Sequence, residues 1–327
     1  MAEPGVSRAA PFTFPVTLLG AGAERALASG LDGRVMAVFR RSFYVESKSG
    51  GLACLGPPSL GGGPLNAIAA LPDGIDWQAS GLVAGARARR GGEALVVDGR
   101  FAFPLAGAPA WRPGPPAMSW TAADLGRGLD TLATRARLVA PADCLGPLIP
   151  GLAGREGAAG EGDFAASPFL CAASAGVAAL RAWLESVLGD DRWGEGEDAQ
   201  RLRGAAGLIG LGPGLTPSGD DFVGGAMIAL RTFDQSGAAD RLAAWALPLA
   251  RAQTGAISYA HLACAAQGEG AAALHEALAA LGTPGAPGLA AHLDAIDAIG
   301  HTSGWDALAG AVAAVAALGC QQSFQEN

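Results

Sequence analysis

The strongest constraint on this chain is a recipe that it uses twice. Ser218-Gly-Asp-Asp-Phe-Val-Gly-Gly-Ala226 and Ser303-Gly-Trp-Asp-Ala-Leu-Ala-Gly-Ala311 both read Ser-Gly-x-Asp-x-x-x-Gly-Ala. Each opens with residues suited to a helix start and continues into a small, apolar run. Two helix starts built alike predict one site assembled from two helix N-termini. The first copy follows a glycine loop, Gly210-Leu-Gly-Pro-Gly-Leu-Thr-Pro-Ser-Gly-Asp-Asp221. Gly210, Gly212 and Gly214 permit positive φ and let a ligand approach the backbone. Pro217 suits the first helical position with Thr216 as N-cap. The amides of Ser218, Gly219 and Asp220 would then face an anion at a partly positive helix end, with the Thr216 and Ser218 hydroxyls as further donors. An ordinary capped helix accounts for the first copy alone. The length of the glycine run and the second copy favour a site.

Composition excludes several classes. The formal net charge is −8 and no Lys/Arg-rich run stands out, which argues against a nucleic-acid or anionic-membrane surface. Fifty glycines show no fixed period, so collagen is out. Five scattered cysteines form no C-x-x-C or Cys/His metal spacing and read as reduced cytosolic thiols. The longest apolar run, 307–320, is short and glycine-bearing for a bilayer, which needs about 20 residues. The expectation is a soluble, cytoplasmic protein.

Texture divides the chain. Residues 12–103 alternate short apolar segments with turns, predicting a small β-barrel or sandwich-like domain. The strands expected are 34–45, 51–55 and 93–103, the last with an Asp-Gly hairpin signal, and 18–31 reads as a short helix. Residues 104–118 are proline-rich and read as a linker. Residues 119–322 read as a mainly helical domain, giving an α+β chain. Its first helix spans 121–137, with Ser119 or Thr121 as cap and Leu125, Leu129, Leu132 and Ala136 as buried stripe. Further helices are expected at 172–188, 238–251, 257–266, 271–281, 289–299 and 305–318. The glycine-rich 150–163 and acidic 189–198 read as exposed loops.

The candidate chemistry follows from residue types. Asp220 and Asp221 are adjacent, so their side chains diverge by about 100° on a helix. One enters the site while the other caps or pairs outside. A lone entering carboxylate suits an amide, or Mg²⁺ beside a phosphate; no cofactor is otherwise called for. In Gly300-His-Thr-Ser-Gly-Trp-Asp306, His301 precedes a helix and is placed to move a proton near pH 7. Thr302, Ser303, Gly304 and Asp306 repeat the first turn, and Ser258 after Thr254 is a further hydroxyl with His261 on its helix. Trp305 in a first turn is either packing or a pocket wall. Leu60-Gly-Gly-Gly-Pro-Leu-Asn66 is either a tight turn or a piece that closes a pocket. No nucleophile elbow or P-loop is present.

At these residues the chain resembles the AllH family, which carries G-L-G-x-G-L-T-P-S-G-D-D, G-H-[ST]-S-G-W-D-x-L-A-G and I-S-x-x-x-L-x-x-A-x-x-G segments. Here they are Gly210 to Asp221, Gly300 to Gly310 and Ile257 to Gly268, with Gly61 to Asn66 fitting an early G-x-G-P-L-N piece. The resemblance implies a subunit of an oxamate carbamoyltransferase in allantoin degradation. That complex interconverts oxalurate plus phosphate with oxamate plus carbamoyl phosphate, beside a succinyl-CoA-synthetase-like subunit and a second partner subunit. On residue chemistry, and not from the resemblance, the expected site binds small anions at Gly212, Gly214, Thr216, Ser218, Gly219, Ser258, Thr302, Ser303, Gly304 and Asp306, with Asp220, Asp221 and His301 as catalytic groups. No arginine or lysine lies in either signature, so distant Arg203 or Arg231, or a partner, would have to meet a phosphate. A non-catalytic scaffold subunit and a stand-alone amide or ureido-acid hydrolase are the alternatives.

Overall fold

Alternating inward apolar residues between glycine turns give the first third of the chain ten short strands. The structure is a computed structural model and describes residues 10–72, 74–114, 120–154, 167–189, 195–283 and 288–325. The strands are β1 (Phe12–Thr13), β2 (Val16–Gly20), β3 (Asp32–Val38), β4 (Phe43–Ser47), β5 (Leu52–Gly56), β6 (Asn66–Ala69), β7 (Arg87–Gly91), β8 (Ala94–Val97), β9 (Phe101–Pro104) and β10 (Ala110–Trp111). They form one curled sheet, a half-barrel, in the order β1-β9-β8-β7-β3-β4-β5-β6-β2-β10. The pairs β1/β9, β5/β6 and β2/β10 are parallel and the others antiparallel. Register shifts at Val16/Leu18 and Val35/Ala37 help the sheet to curl. Its concave side closes on Trp77, fully buried and edge-on to Phe43 at 4.8 Å and Phe101 at 5.2 Å.

The Asp-Gly signal is met at β8–β9, where Asp98 (φ 55°) and Gly99 (φ 65°) take the left-handed pair of a type I′ turn. Gly99→Ala should therefore lower stability by about 1 kcal/mol through left-handed strain alone, read as a shifted urea midpoint with unchanged slope.

Several expectations are corrected. Residues 34–45 are not one strand but β3 and β4 of a hairpin, because the polar Arg40-Arg41-Ser42 step breaks the run. Residues 18–31 are a strand followed by a six-residue helix, Ala21–Ala26. Gly20 ends the strand where any side chain would strike the Gly63 carbonyl, 2.0 Å from its Cβ position. The Gly61–Asn66 piece is a turn whose Asn66 amide donates to the Gly61 carbonyl at 3.1 Å.

The chain divides into Met1–Arg112 and Pro113–Asn327. Within 104–118, read as linker, Ala110–Trp111 joins the first unit's sheet.

The second unit is helical, as its periodicity predicts: Ala122–Val139, Pro168–Gly189, Glu195–Arg201, Ser218–Thr232, Ser236–Gln253, Ala256–Ala265, Ala272–Leu281, Leu289–Asp297 and Ser303–Gln325. Thr121 caps the first of these, its hydroxyl accepting from the Asp124 amide at 3.1 Å; Ser119 and 155–163 lie outside the described residues. The acidic 189–198 segment is not all loop. Asp198 is buried in a helix and accepts from Arg241 at 2.6 Å and from the Trp183 indole at 2.9 Å. Two helices, Pro168–Gly189 and Ser303–Cys320, are long and apolar enough to cross a membrane by length and composition. The second packs within the helical core and is mostly buried.

Candidate functional site

The two signature helices, Ser218–Thr232 and Ser303–Gln325, lie side by side in the same direction. Their glycines record this contact. The Cβ position of Gly225 falls 1.8 Å from the Ala307 carbonyl oxygen, and that of Gly310 falls 1.8 Å from the Phe222 carbonyl oxygen. Phe222 corresponds to Ala307 and Gly225 to Gly310 in the shared recipe, so the contact is reciprocal, as across a local twofold. Gly219 and Gly304 also correspond. Their Cβ positions meet the Leu208 and Ile296 carbonyl oxygens at 1.9 and 2.1 Å, where each helix start sits back on the segment before it. Only glycine permits approach this close.

This packing brings the two turns together. The Thr216 and Ser303 hydroxyls hydrogen-bond at 2.8 Å across 87 residues of chain. Both are half-buried, as is Thr302, while Ser218 is buried. Gly210, Gly212 and Gly214 take φ of 77°, 113° and 99°, and residues 213–215 form the exposed rim.

The backbone donors are arranged differently from expectation. The helix begins at Ser218 with Pro217 as N-cap, because the Thr216 hydroxyl is engaged by Ser303. The Gly219 amide donates to the Leu211 carbonyl at 2.9 Å and the Asp220 amide to the Pro217 carbonyl at 2.9 Å. The Gly304 amide likewise donates to Ile299 at 3.3 Å. These three amides hold the loops in place and are not open to a ligand.

The adjacent aspartates separate as helix geometry requires. Asp220 points inward and is 1% exposed. Its Oδ1 accepts from the Gly210 amide at 2.8 Å, and its Oδ2 from the Thr254 and Ser258 hydroxyls at 2.5 and 2.6 Å. Asp220 and Ser258 thus tie the glycine loop to the helix Ala256–Ala265, with both carboxylate oxygens of Asp220 engaged. Asp221 is half-buried, and its Oδ2 is sealed from solvent with no hydrogen-bond partner. Burial pushes its carboxyl well above the usual range, the Ser303 and Thr216 hydroxyls oppose the rise, and the charges of Asp306 and Asp220 add to it. Asp306 is fully buried; its Oδ1 accepts from the Leu145 amide at 2.7 Å while its Oδ2 has no partner. Burial raises its carboxyl too, against the Leu145 amide and the Ser218 and Thr302 hydroxyls.

The histidines do not enter this cluster. His301 is 85% exposed, with Nε2 3.2 Å from Asp143 Oδ2, so the turn sends it to solvent. Burial pushes His261 and His275 down to about 4, and His275 accepts from the Gly270 amide. Trp305 is core packing, its indole donating to Asp297 at 2.8 Å. Arg231 lies at the far end of its helix, about 20 Å from the start at 1.5 Å per residue, and it binds the Ala266 carbonyl and Asp240. Arg203 is exposed on the segment Leu202–Leu208. Among the described residues no group of three or more His, Cys, Asp or Glu is placed to hold a metal. Leu145, whose amide meets Asp306, belongs to the cluster but escapes sequence reasoning, because nothing in its local sequence marks a backbone contact 161 residues away.

The fold and site define a helical unit with a polar, hydroxyl-lined cluster at paired parallel helix starts. Residues 208–315 match the family described as oxamate carbamoyltransferase subunit AllH. The match covers about a third of the chain and includes both signature helix starts, so the resemblance read from the motifs holds. No curated protein and no solved structure matches the chain.

Proposed function

We propose that the helical unit binds a small anion at the paired helix starts, as a subunit of an enzyme that transfers a carbamoyl group between carbamoyl phosphate and a small amide such as oxamate. The observation that carries this reading is the Thr216–Ser303 contact, which joins two distant signatures at one point. In the Thr216–Ser303 pair one hydroxyl donates to the other, and the remaining proton of the pair, with that of Thr302, is offered to the anion's oxygens. Each helix end adds about 0.3–1 kcal/mol for a negative group. Asp221 Oδ1 orients the acceptor amide. The amide nitrogen attacks the carbamoyl carbon, the C–O bond to phosphate breaks, and the leaving phosphate takes the proton from nitrogen. His301, exposed beside Asp143, is not needed for that transfer. Partner subunits and a cytoplasmic setting belong to the same reading.

Thr216→Val and Ser303→Ala should each weaken oxamate or carbamoyl phosphate binding about 10- to 100-fold by calorimetry, the worth of a hydrogen bond to a charged group. Asp221→Asn should lower turnover of the reconstituted complex about 100-fold with assembly intact. Wild-type binding in the hydroxyl variants would end this reading. Because Asp220 is tied to the loop and His301 faces solvent, a second reading has weight, in which this subunit binds the anion and a partner does the chemistry. That reading predicts the same binding losses with turnover at saturating ligand unchanged.

A further inference from the structure

Asp221 and Asp306 each keep one carboxyl oxygen without a well-formed hydrogen bond, although the Ser303 and Thr216 hydroxyls stand against the first carboxyl and those of Ser218 and Thr302 against the second. Both Oδ2 atoms are sealed from solvent and have no partner, and Asp306 is fully buried. A buried carboxylate oxygen with no donor is costly, so such atoms are rare unless something beyond the chain meets them. The two residues occupy corresponding places in the repeat, and the charge of Asp306 acts on Asp221. Around them stand oxygens of one kind. Thr216 and Ser303 border Asp221, Ser218 and Thr302 border Asp306, and the Thr216–Ser303 bond links the two sets.

Hard oxygens with paired carboxylates suit a hard cation. Mg²⁺ in particular is held through one or two carboxylates and completed by water and phosphate oxygens, which is why two acidic residues suffice. Charge balance points the same way. A phosphate brought against a carboxylate meets like-charge repulsion, which a cation between them relieves. Neither signature supplies a lysine or arginine, and Arg231 is held at the other end of its helix.

We propose that Oδ2 of Asp221 and Oδ2 of Asp306 together hold one divalent cation of the Mg²⁺ class, to which a phosphate oxygen of the bound anion is the third partner. The inference rests on the preceding reading for the phosphate, but for the carboxylates it stands on their two buried, unpartnered oxygens beside the linked hydroxyls. Oδ1 of Asp306 keeps its bond to Leu145, and Oδ1 of Asp221 remains for the acceptor amide.

Terbium titration of the full chain tests this, with the buried Trp305 beside Asp306 in sequence as the absorbing group. Saturable sensitised emission, displaced by excess Mg²⁺, is expected. Asp221→Asn and Asp306→Asn should each weaken it at least 10-fold, and the exposed Asp294→Asn should not. The asparagine changes are isosteric, and the amide oxygen that Asp306→Asn retains can still accept from Leu145. Should they unfold the chain, a rise in wild-type melting temperature with Mg²⁺ but not with Na⁺ at equal ionic strength serves instead. Emission that is absent, or indifferent to both substitutions, overturns the proposal. So does unchanged carbamoyl phosphate binding in EDTA, which would mean that the two oxygens carry protons. Cation binding that added phosphate leaves unaltered keeps the metal site and removes the phosphate reading.

Discussion

Replacing Gly225 or Gly310 with alanine lowers the stability of the helical unit by about 3 kcal/mol, the upper part of the range for overpacking a core. The added methyl would lie 1.8 Å from a carbonyl oxygen of the other signature helix. That oxygen is backbone and cannot rotate away, so the helices must part. Alanine's better helix propensity returns only about 1 kcal/mol. For a unit of this size the melting temperature should fall about 6–12 °C. Gly224 supplies the control from the adjacent position. Its Cβ would meet Ala265 Cβ at 3.5 Å, an ordinary contact, so Gly224→Ala is neutral or slightly stabilising. Equal melting temperatures for Gly224→Ala and Gly225→Ala would refute the reciprocal glycine contact. Because the same contact sets the helix starts together, Gly225→Ala and Gly310→Ala should also weaken anion binding.

Asp220→Ala is expected to be at least as damaging, by about 3–5 kcal/mol. It orphans three donors at once, the Gly210 amide and the Thr254 and Ser258 hydroxyls. Hydrogen bonds to a charged group contribute about 1.5–3 kcal/mol each, and these three are not additive because they share one carboxylate. Asp220→Asn is milder, about 1–2 kcal/mol, because Oδ1 still accepts from Gly210 and hydroxyls can rotate to accept from the new amide. The measurement is the urea midpoint of each variant at constant slope. An alanine variant within about 1 kcal/mol of wild type would mean that the network contributes little and that Asp220 is free for another task.

How far the sequence can be read differs between the two halves. Helices announce themselves through spacing: Leu125, Leu129, Leu132 and Ala136 fall on one face of Ala122–Val139 and all four are buried. The Asp98-Gly99 turn is equally local, since its type follows from two residues that tolerate positive φ. Residues 18–31 mislead because Leu and Ala spacing suits a helix, while pairing of Val16–Gly20 with Asn66–Ala69 makes a strand of the first part. Strand pairing is non-local, and no window of sequence contains the partner. In the site, the adjacency of Asp220 and Asp221 requires that they diverge. Which of the two turns inward depends on Thr254 and Ser258, more than thirty residues on.

The sequence by itself determined that two like helix starts exist, each with a serine, a glycine and an aspartate at fixed positions, because capping and helical period act over a few residues. Only the tertiary structure decided that those starts stand side by side, that Asp220 is a tie and Asp221 a member of the cluster, and that His301 leaves it. Backbone amides that looked open are closed by carbonyls from neighbouring segments, Leu211 and Ile299 among them. The physical reason is range: the free energy of a close helix pair depends on atoms brought together from opposite ends of a long chain segment, and the residues at either end carry no local trace of which partner they will meet.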